Sequence, residues 1–276
     1  MLRRISLLLV VSILSACAVI PTPIERRTHA DTLTAARGWR AEVIPTGRLD
    51  LLAYAPQNIR QALLLTVYIE GDGFSWVSSS TPSDDPTPRE PLALQLALAH
   101  PTGNAAYLGR PCQYVGAERT GCSQRYWMEA RFAPEVIAAS SQAIDTLKAR
   151  FGASRLVLVG YSGGGAVAAL LAARRDDVEM LISVAGNLDH RAWTKHHHVE
   201  PLNGSLNPAE ETERLGRVQQ FHFVGDEDRV IPPSLVTSFA ERFPSSQRPA
   251  VKVMPGFNHQ CCWVEEWRSI WQTIAR

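Results

Sequence analysis

Arg155-Leu156-Val157-Leu158-Val159-Gly160-Tyr161-Ser162-Gly163-Gly164-Gly165 carries an apolar strand straight into a Gly-x-Ser-x-Gly turn. Val157, Leu158 and Val159 form the continuous apolar run expected of a parallel strand buried on both faces. Ala166-Val167-Ala168-Ala169-Leu170-Leu171-Ala172-Ala173 comes next, helix-favouring and small enough to pack closely on a sheet. A tight strand-to-helix turn of this kind lifts a serine hydroxyl clear of the sheet, and the flanking glycines leave room for it. The helix beginning at Gly163 directs free N–H groups and its positive dipole end at the same point. Gly-x-Ser-x-Gly on its own also describes any glycine-rich turn before a buried helix, so its meaning rests on partners elsewhere in the chain.

A serine hydroxyl needs a base, and the base needs an orienting acid. Val218 to Gly225 reads as a strand and leads into Asp226-Glu227-Asp228-Arg229-Val230-Ile231-Pro232. Ala250 to Met254 reads as a last strand and leads into Pro255-Gly256-Phe257-Asn258-His259. Leu63 to Ile69 is an earlier strand, followed by Glu70-Gly71-Asp72-Gly73.

With these four segments in that order, the chain from about Leu63 to Arg276 resembles the α/β-hydrolase family. The resemblance implies a mostly parallel central sheet flanked by helices, with serine, acid and histidine in that chain order. It assigns Ser162 as nucleophile, Asp228 as acid by the Gly-x-x-Asp-x-x-Val/Ile-Pro spacing, and His259 as base. Asp226 and Glu227 are then solvated carboxylates or partners of the turn. Backbone N–H groups of Gly163 and of Asp72 or Gly73 would form the oxyanion hole. Many members have His-Gly where this chain has Glu70-Gly71. The Asp72 carboxylate would oppose an oxyanion, so it is expected to turn towards an arginine such as Arg110 or Arg125.

The implied function is a serine hydrolase cleaving a carboxylic ester or thioester through an acyl-enzyme. A peptidase or amidase of the same fold, or a non-catalytic lipoprotein using the scaffold for binding, are the alternatives. No cofactor is expected. No metal is expected either: His196-His197-His198 cannot all face one ion on regular structure and lack companion ligands, so the run reads as a loop at a cleft entrance.

Met1-Leu2-Arg3-Arg4 is a basic start, and the apolar run Ile5 to Leu14 is too short to span a bilayer as a mature helix. Leu14-Ser15-Ala16-Cys17 resembles the bacterial lipobox, which implies cleavage before Cys17 and lipid on its thiol. The expected organisation is a leader over 1–16, a lipidated tether over 17–38 and one domain over 39–276. Cell-envelope localisation is expected, facing the periplasm and held at the outer membrane, because Ala18 rather than Asp follows the cysteine. The formal charge of +1 becomes −1 once Arg3 and Arg4 leave with the leader. Near-neutrality without a basic cluster argues against a nucleic-acid partner and an electrostatic membrane surface.

Cys112, Cys122, Cys261 and Cys262 remain, and four cysteines in an oxidising compartment allow three pairings. Cys112 can close a local loop with Cys122, leaving Cys261 and Cys262 either reduced or joined as a strained vicinal bridge. Alternatively, Cys261 and Cys262 each reach across to 112 or 122; this arrangement is preferred because it avoids a vicinal bond and staples the histidine loop. Buried thiols are the remaining possibility.

Trp39 to Pro45 and Leu49 to Tyr54 read as an antiparallel edge hairpin. Further helices are expected over 91–100, 134–151, 232–243 and 263–275, with strands over 104–109 and 178–184. Trp263, Trp267, Ile270, Trp271 and Ile274 share one apolar helical face. Two long segments, 74–90 and 185–214, are expected to overhang the site. Neither carries the long apolar helix of a large lid, which points to a small or modest substrate.

Overall fold

The computed structural model describes residues 20–116 and 121–274. The leader and Cys17 lie outside the described residues. The chain opens with helix α1 (Pro23–Ala35), then strands β1 (Trp39–Ile44), β2 (Leu51–Pro56) and β3 (Leu64–Ile69). Helix α2 (Leu92–Leu98), strand β4 (Asn104–Leu108), helix α3 (Pro134–Phe151) and strand β5 (Arg155–Tyr161) come next. The second half runs α4 (Gly163–Ala172), β6 (Val178–Val184), α5 (His190–His197), α6 (Thr212–Leu215), β7 (Gln219–Gly225), α7 (Pro233–Ala240), β8 (Ala250–Met254) and α8 (Trp263–Ile274).

The strands form one eight-stranded sheet in the order β1-β2-β4-β3-β5-β6-β7-β8. β1 and β2 pair antiparallel, as do β2 and β4, whereas every pairing from β4 through β8 is parallel. Side chains alternate between the two faces of a strand. On β5, Leu156 and Leu158 enter one core with α3, α4 and α7, while Val157, Val159 and Tyr161 enter another with α2 and α8. Both faces are therefore dry, which is why β5 shows no polar alternation. The α8 face buries Trp263 and Trp267 completely, and each burial stabilises the fold by about 3 kcal/mol. Gly152 ends α3 in the left-handed region at φ 62°, as its position in the sequence predicts.

Two expectations are corrected. The segment 18–38 is not simply a tether, because α1 occupies Pro23–Ala35 and packs on the domain. Thr22 and Glu25 form a reciprocal capping box, and Ala30 is fully buried. Arg26 reaches under the 74–90 segment, donating to the carbonyls of Asp85 and Thr87 with its cation over the Phe74 ring. Asp31 accepts from the Tyr54 hydroxyl at 2.6 Å. The polar residues read as tether are therefore the partners that dock the helix.

The cysteines pair locally: Cys112 with Cys122 and Cys261 with Cys262. The preferred cross-pairing fails because each pair is already adjacent within its own loop. Both Cys112 and Cys262 have positive φ, at 69° and 82°, which turns each loop back on itself.

Candidate active site

Ser162 stands between β5 and α4 with φ 52° and ψ −121°, a backbone conformation that side chains rarely adopt. Glycines make this possible. A Cβ on Gly160 would lie under 3.0 Å from the backbone of Gly164, and one on Gly164 under 3.0 Å from the carbonyls of Ile69 and Glu70. The turn is fixed further by Ser162 N donating to Val184 O at 3.0 Å and by Asn187 N donating to Ser162 O at 3.0 Å.

The carboxyl ends of β7 and β8 bring Asp228 and His259 to this serine. His259 Nε2 lies 3.1 Å from Ser162 Oγ, and His259 Nδ1 lies 2.9 Å from Asp228 Oδ2. The other Asp228 oxygen accepts from the N–H groups of Val230 and Ile231, both at 2.8 Å. These bonds fix the carboxylate while leaving Oδ2 for the imidazole, and the Asp228 side chain is completely buried. Asp226 instead accepts from Gly256 N at 2.7 Å, holding the two loops together. Tyr161 adds a support unseen in the sequence, its hydroxyl donating to the His259 carbonyl at 3.2 Å.

Opposite this chain of hydrogen bonds lies the Gly71-Asp72-Gly73 turn. A Cβ on Gly71 would come within 3.3 Å of Ser162 Cβ, so the turn runs directly against the serine. Gly73 has φ 68°, and Pro86 O fills the space a side chain would need. As the first residue of α4, Gly163 has an N–H without an intrahelical acceptor.

The Asp72 carboxylate does turn to arginines. Arg110 is one of the two expected partners, at 3.4 Å; the closer partner is Arg131 rather than Arg125, at 2.7 Å. Arg125 lies beside Glu135 instead. Burial would raise the Asp72 pKa, but Arg131 and Arg110 outweigh it and hold the carboxyl below its ordinary value. Nothing in the local sequence marks Arg131, which reaches Asp72 across 59 positions.

Glu70, where the family resemblance leads one to expect histidine, is buried under the same turn. Its Oε1 accepts from Gly71 N at 3.0 Å and Ala93 N at 3.3 Å. Burial pushes this carboxyl up to about 7, against partial opposition from those N–H groups.

Ser162, His259, Asp72 and Gly73 share a cleft of about 610 Å³, whose walls include Phe74, Trp76, Arg131, Trp193 and Val230. Both long segments thus contribute to it. The second is not a plain loop, since α5 places Trp193 at the cleft and ends in the histidine run. His196 and His197 close α5, and His198 is its left-handed cap. Trp193 Nε1 and His197 Nε2 both lie 2.8 Å from Val230 O, so His197 also supports the Asp228 loop beside the cleft. His222, the strand histidine, is buried against Ser183 Oγ at 2.8 Å, and burial lowers its pKa to about 3.

No protein-family model and no curated protein sequence matches the chain. Solved structures do. Est1E from Butyrivibrio proteoclasticus, with ferulic acid bound, superposes at a TM-score of 0.60 with 15% identity over 86% of this chain and 100% of that one. An alpha-beta serine hydrolase homologue from Coxiella burnetii gives 0.58 and 17% over 84% and 94%. The Pyrococcus furiosus esterase Pf2001 gives 0.57 and 13% over 86% and 90%. The chain has the α/β-hydrolase fold. In an α/β-hydrolase fold the strand ends gather loops distant in sequence, and here they gather Ser162, Asp228 and His259.

Proposed function

We propose that this protein is a serine hydrolase of ester-type bonds. The observation that carries the reading is the unbroken Ser162 Oγ–His259 Nε2 and His259 Nδ1–Asp228 Oδ2 hydrogen-bond chain. Ser162 Oγ attacks the substrate carbonyl while His259 Nε2 takes its proton; Asp228 holds the imidazole tautomer and stabilises the imidazolium. The N–H groups of Gly163 and of Asp72 or Gly73 receive the oxyanion. His259 returns the proton to the leaving alcohol or thiol, and water, deprotonated by the same imidazole, releases the acid from Ser162. The esterase named among the fold relatives supports ester over amide as the first class to test. A cleft of about 610 Å³ suits a small or modest substrate.

The same proposal places the enzyme on a membrane surface through lipid on Cys17, facing the periplasm, on the strength of the leader pattern. Among the described residues no helix is long and apolar enough to cross a membrane. Metabolic labelling with a radiolabelled fatty acid tests the anchor; label retained in Cys17→Ser would remove it.

The decisive experiment treats the full-length, detergent-solubilised protein with a fluorophosphonate probe and maps the adduct by mass spectrometry. Labelling at Ser162 that disappears in His259→Ala is expected. A folded, oxidised protein that takes no label would sink the reading and favour a non-catalytic scaffold.

A further inference from the structure

The Asp72 carboxylate occupies a place where an anion is least expected. A Cβ on Gly163 would lie under 3.0 Å from all three atoms of that carboxylate group. The negative charge therefore rests against the residue whose N–H faces the developing oxyanion, and a like charge there raises the energy of the transition state.

Three side chains from one irregular loop control this turn. Arg131 Nη1 donates to Asp72 Oδ2 at 2.7 Å, and Arg110 Nη1 donates to Oδ1 at 3.4 Å. Gln113 Nε2 donates to Gly71 O at 3.0 Å, while its Oε1 accepts from Arg110 N at 2.9 Å. The loop also locks onto itself. Arg110 Nη2 donates to the Arg131 carbonyl, Arg131 Nε donates to Met128 O at 2.7 Å, and Cys112 is bonded to Cys122. Both guanidinium groups are at least nine-tenths buried, so their charge acts with little solvent screening.

Resting on the proposed hydrolase reading, we propose that Arg131 and Arg110 are positioning residues. They hold the Asp72 carboxylate off the oxyanion and present its backbone N–H instead. The two cations do more than anchor a loop: they cancel a charge that would otherwise oppose the reaction. Asp72 in turn fixes the arginines, so the oxyanion turn and the two cations form one linked unit.

The test is a charge-rescue series on the full-length protein, reading kcat and KM with a short p-nitrophenyl ester and folding by circular dichroism. Arg131→Met is expected to lower kcat about 100-fold with KM within about threefold. Arg131→Lys, which keeps the charge, is expected to recover kcat to within about tenfold of the unmodified protein. The deciding variant is Asp72→Asn/Arg131→Met, which has neither the cation nor the anion; it is expected to exceed Arg131→Met by about tenfold or more. A double variant no faster than Arg131→Met, or full kcat in Arg131→Met, overturns the proposal. Should Arg131→Met not fold, Arg131→Gln, neutral but still a donor, takes its place in both comparisons. An unmodified protein that neither turns over esters nor labels at Ser162 fails the hydrolase reading itself. An active one without charge rescue fails only this inference.

Discussion

The two sides of Ser162 are built differently. On one side, Asp228 and His259 stand at the carboxyl ends of neighbouring strands β7 and β8, and the parallel sheet fixes their separation. On the other, the Gly71–Gly73 turn leaves β3 and depends on Arg110, Gln113 and Arg131 from the connection between β4 and α3. The first side is secured by backbone pairing and packing. The second is secured by buried charge, so its geometry should depend on which charges are present more than the sheet-fixed separation of the first does.

The largest expected effect tests the sheet-built side. Ser162→Ala should lower kcat by about 10⁴-fold or more, with unfolding in urea little changed. Residual turnover near that of the unmodified protein would show that the hydrogen-bond chain is not the reacting unit.

Glycine replacements sharpen the contrast between stability and activity. Gly160→Ala drives a methyl group into the backbone at Gly164 and should destabilise the fold by about 2–3 kcal/mol in urea titrations. Gly163→Ala brings its methyl group against the Asp72 carboxylate, a side chain rather than backbone. It should therefore lower kcat by about tenfold or more with a smaller change in stability. The reverse ordering of the two stability losses would break the distinction.

Glu70 gives the oxyanion side a pH signature. Its folded pKa of about 7 lies above the ordinary 4.5, so the folded protein retains a proton that the unfolded chain releases. Stability from this group is present below the unfolded value, falls as pH rises through that window, and levels off above about 7. The full change is roughly 3 kcal/mol. Urea midpoints from pH 5 to 8 should decline less steeply in Glu70→Gln than in the unmodified protein; parallel profiles would contradict the assignment. His222 acts oppositely, because its depressed pKa removes stability as pH falls below the ordinary 6.5.

A further contrast concerns the disulfides. Cys112→Ser/Cys122→Ser opens the loop that holds Gln113 and begins two residues after Arg110, and should cost about 2–3 kcal/mol by chain entropy, with a fall in kcat. Cys261→Ser/Cys262→Ser closes no loop of comparable length and should shift the melting temperature less. Equal losses in kcat from the two pairs would erase the difference between the two sides of the serine.

Much of the fold is legible in the chain. The expected strand over 178–184 and helix over 134–151 match β6 and α3 to the residue, because dry parallel strands and capped helices announce themselves in composition. Elements escape such a reading where polar side chains hide a tertiary role. Arg26, Asp31 and Thr34 make α1 look solvated, although they pair with the 74–90 segment and Tyr54 or cap backbone carbonyls. Spacing alone does not separate Arg125 from Arg131 as the partner of Asp72, since a reach across dozens of residues leaves no local periodicity.

The sequence by itself determined the β5–α4 turn, the chain order of Ser162, Asp228 and His259, and the sheet that orders them. The turn and the strands arise from local sterics and hydrophobic period, which act between near neighbours, whereas the roles of the three residues and the order of the sheet are implied by the family resemblance. Only the tertiary structure decided which arginines hold Asp72, which cysteines pair, and that α1 docks on the domain. Those outcomes depend on the meeting of buried polar groups far apart in the chain, where burial makes an exact partner necessary but sequence spacing does not name it.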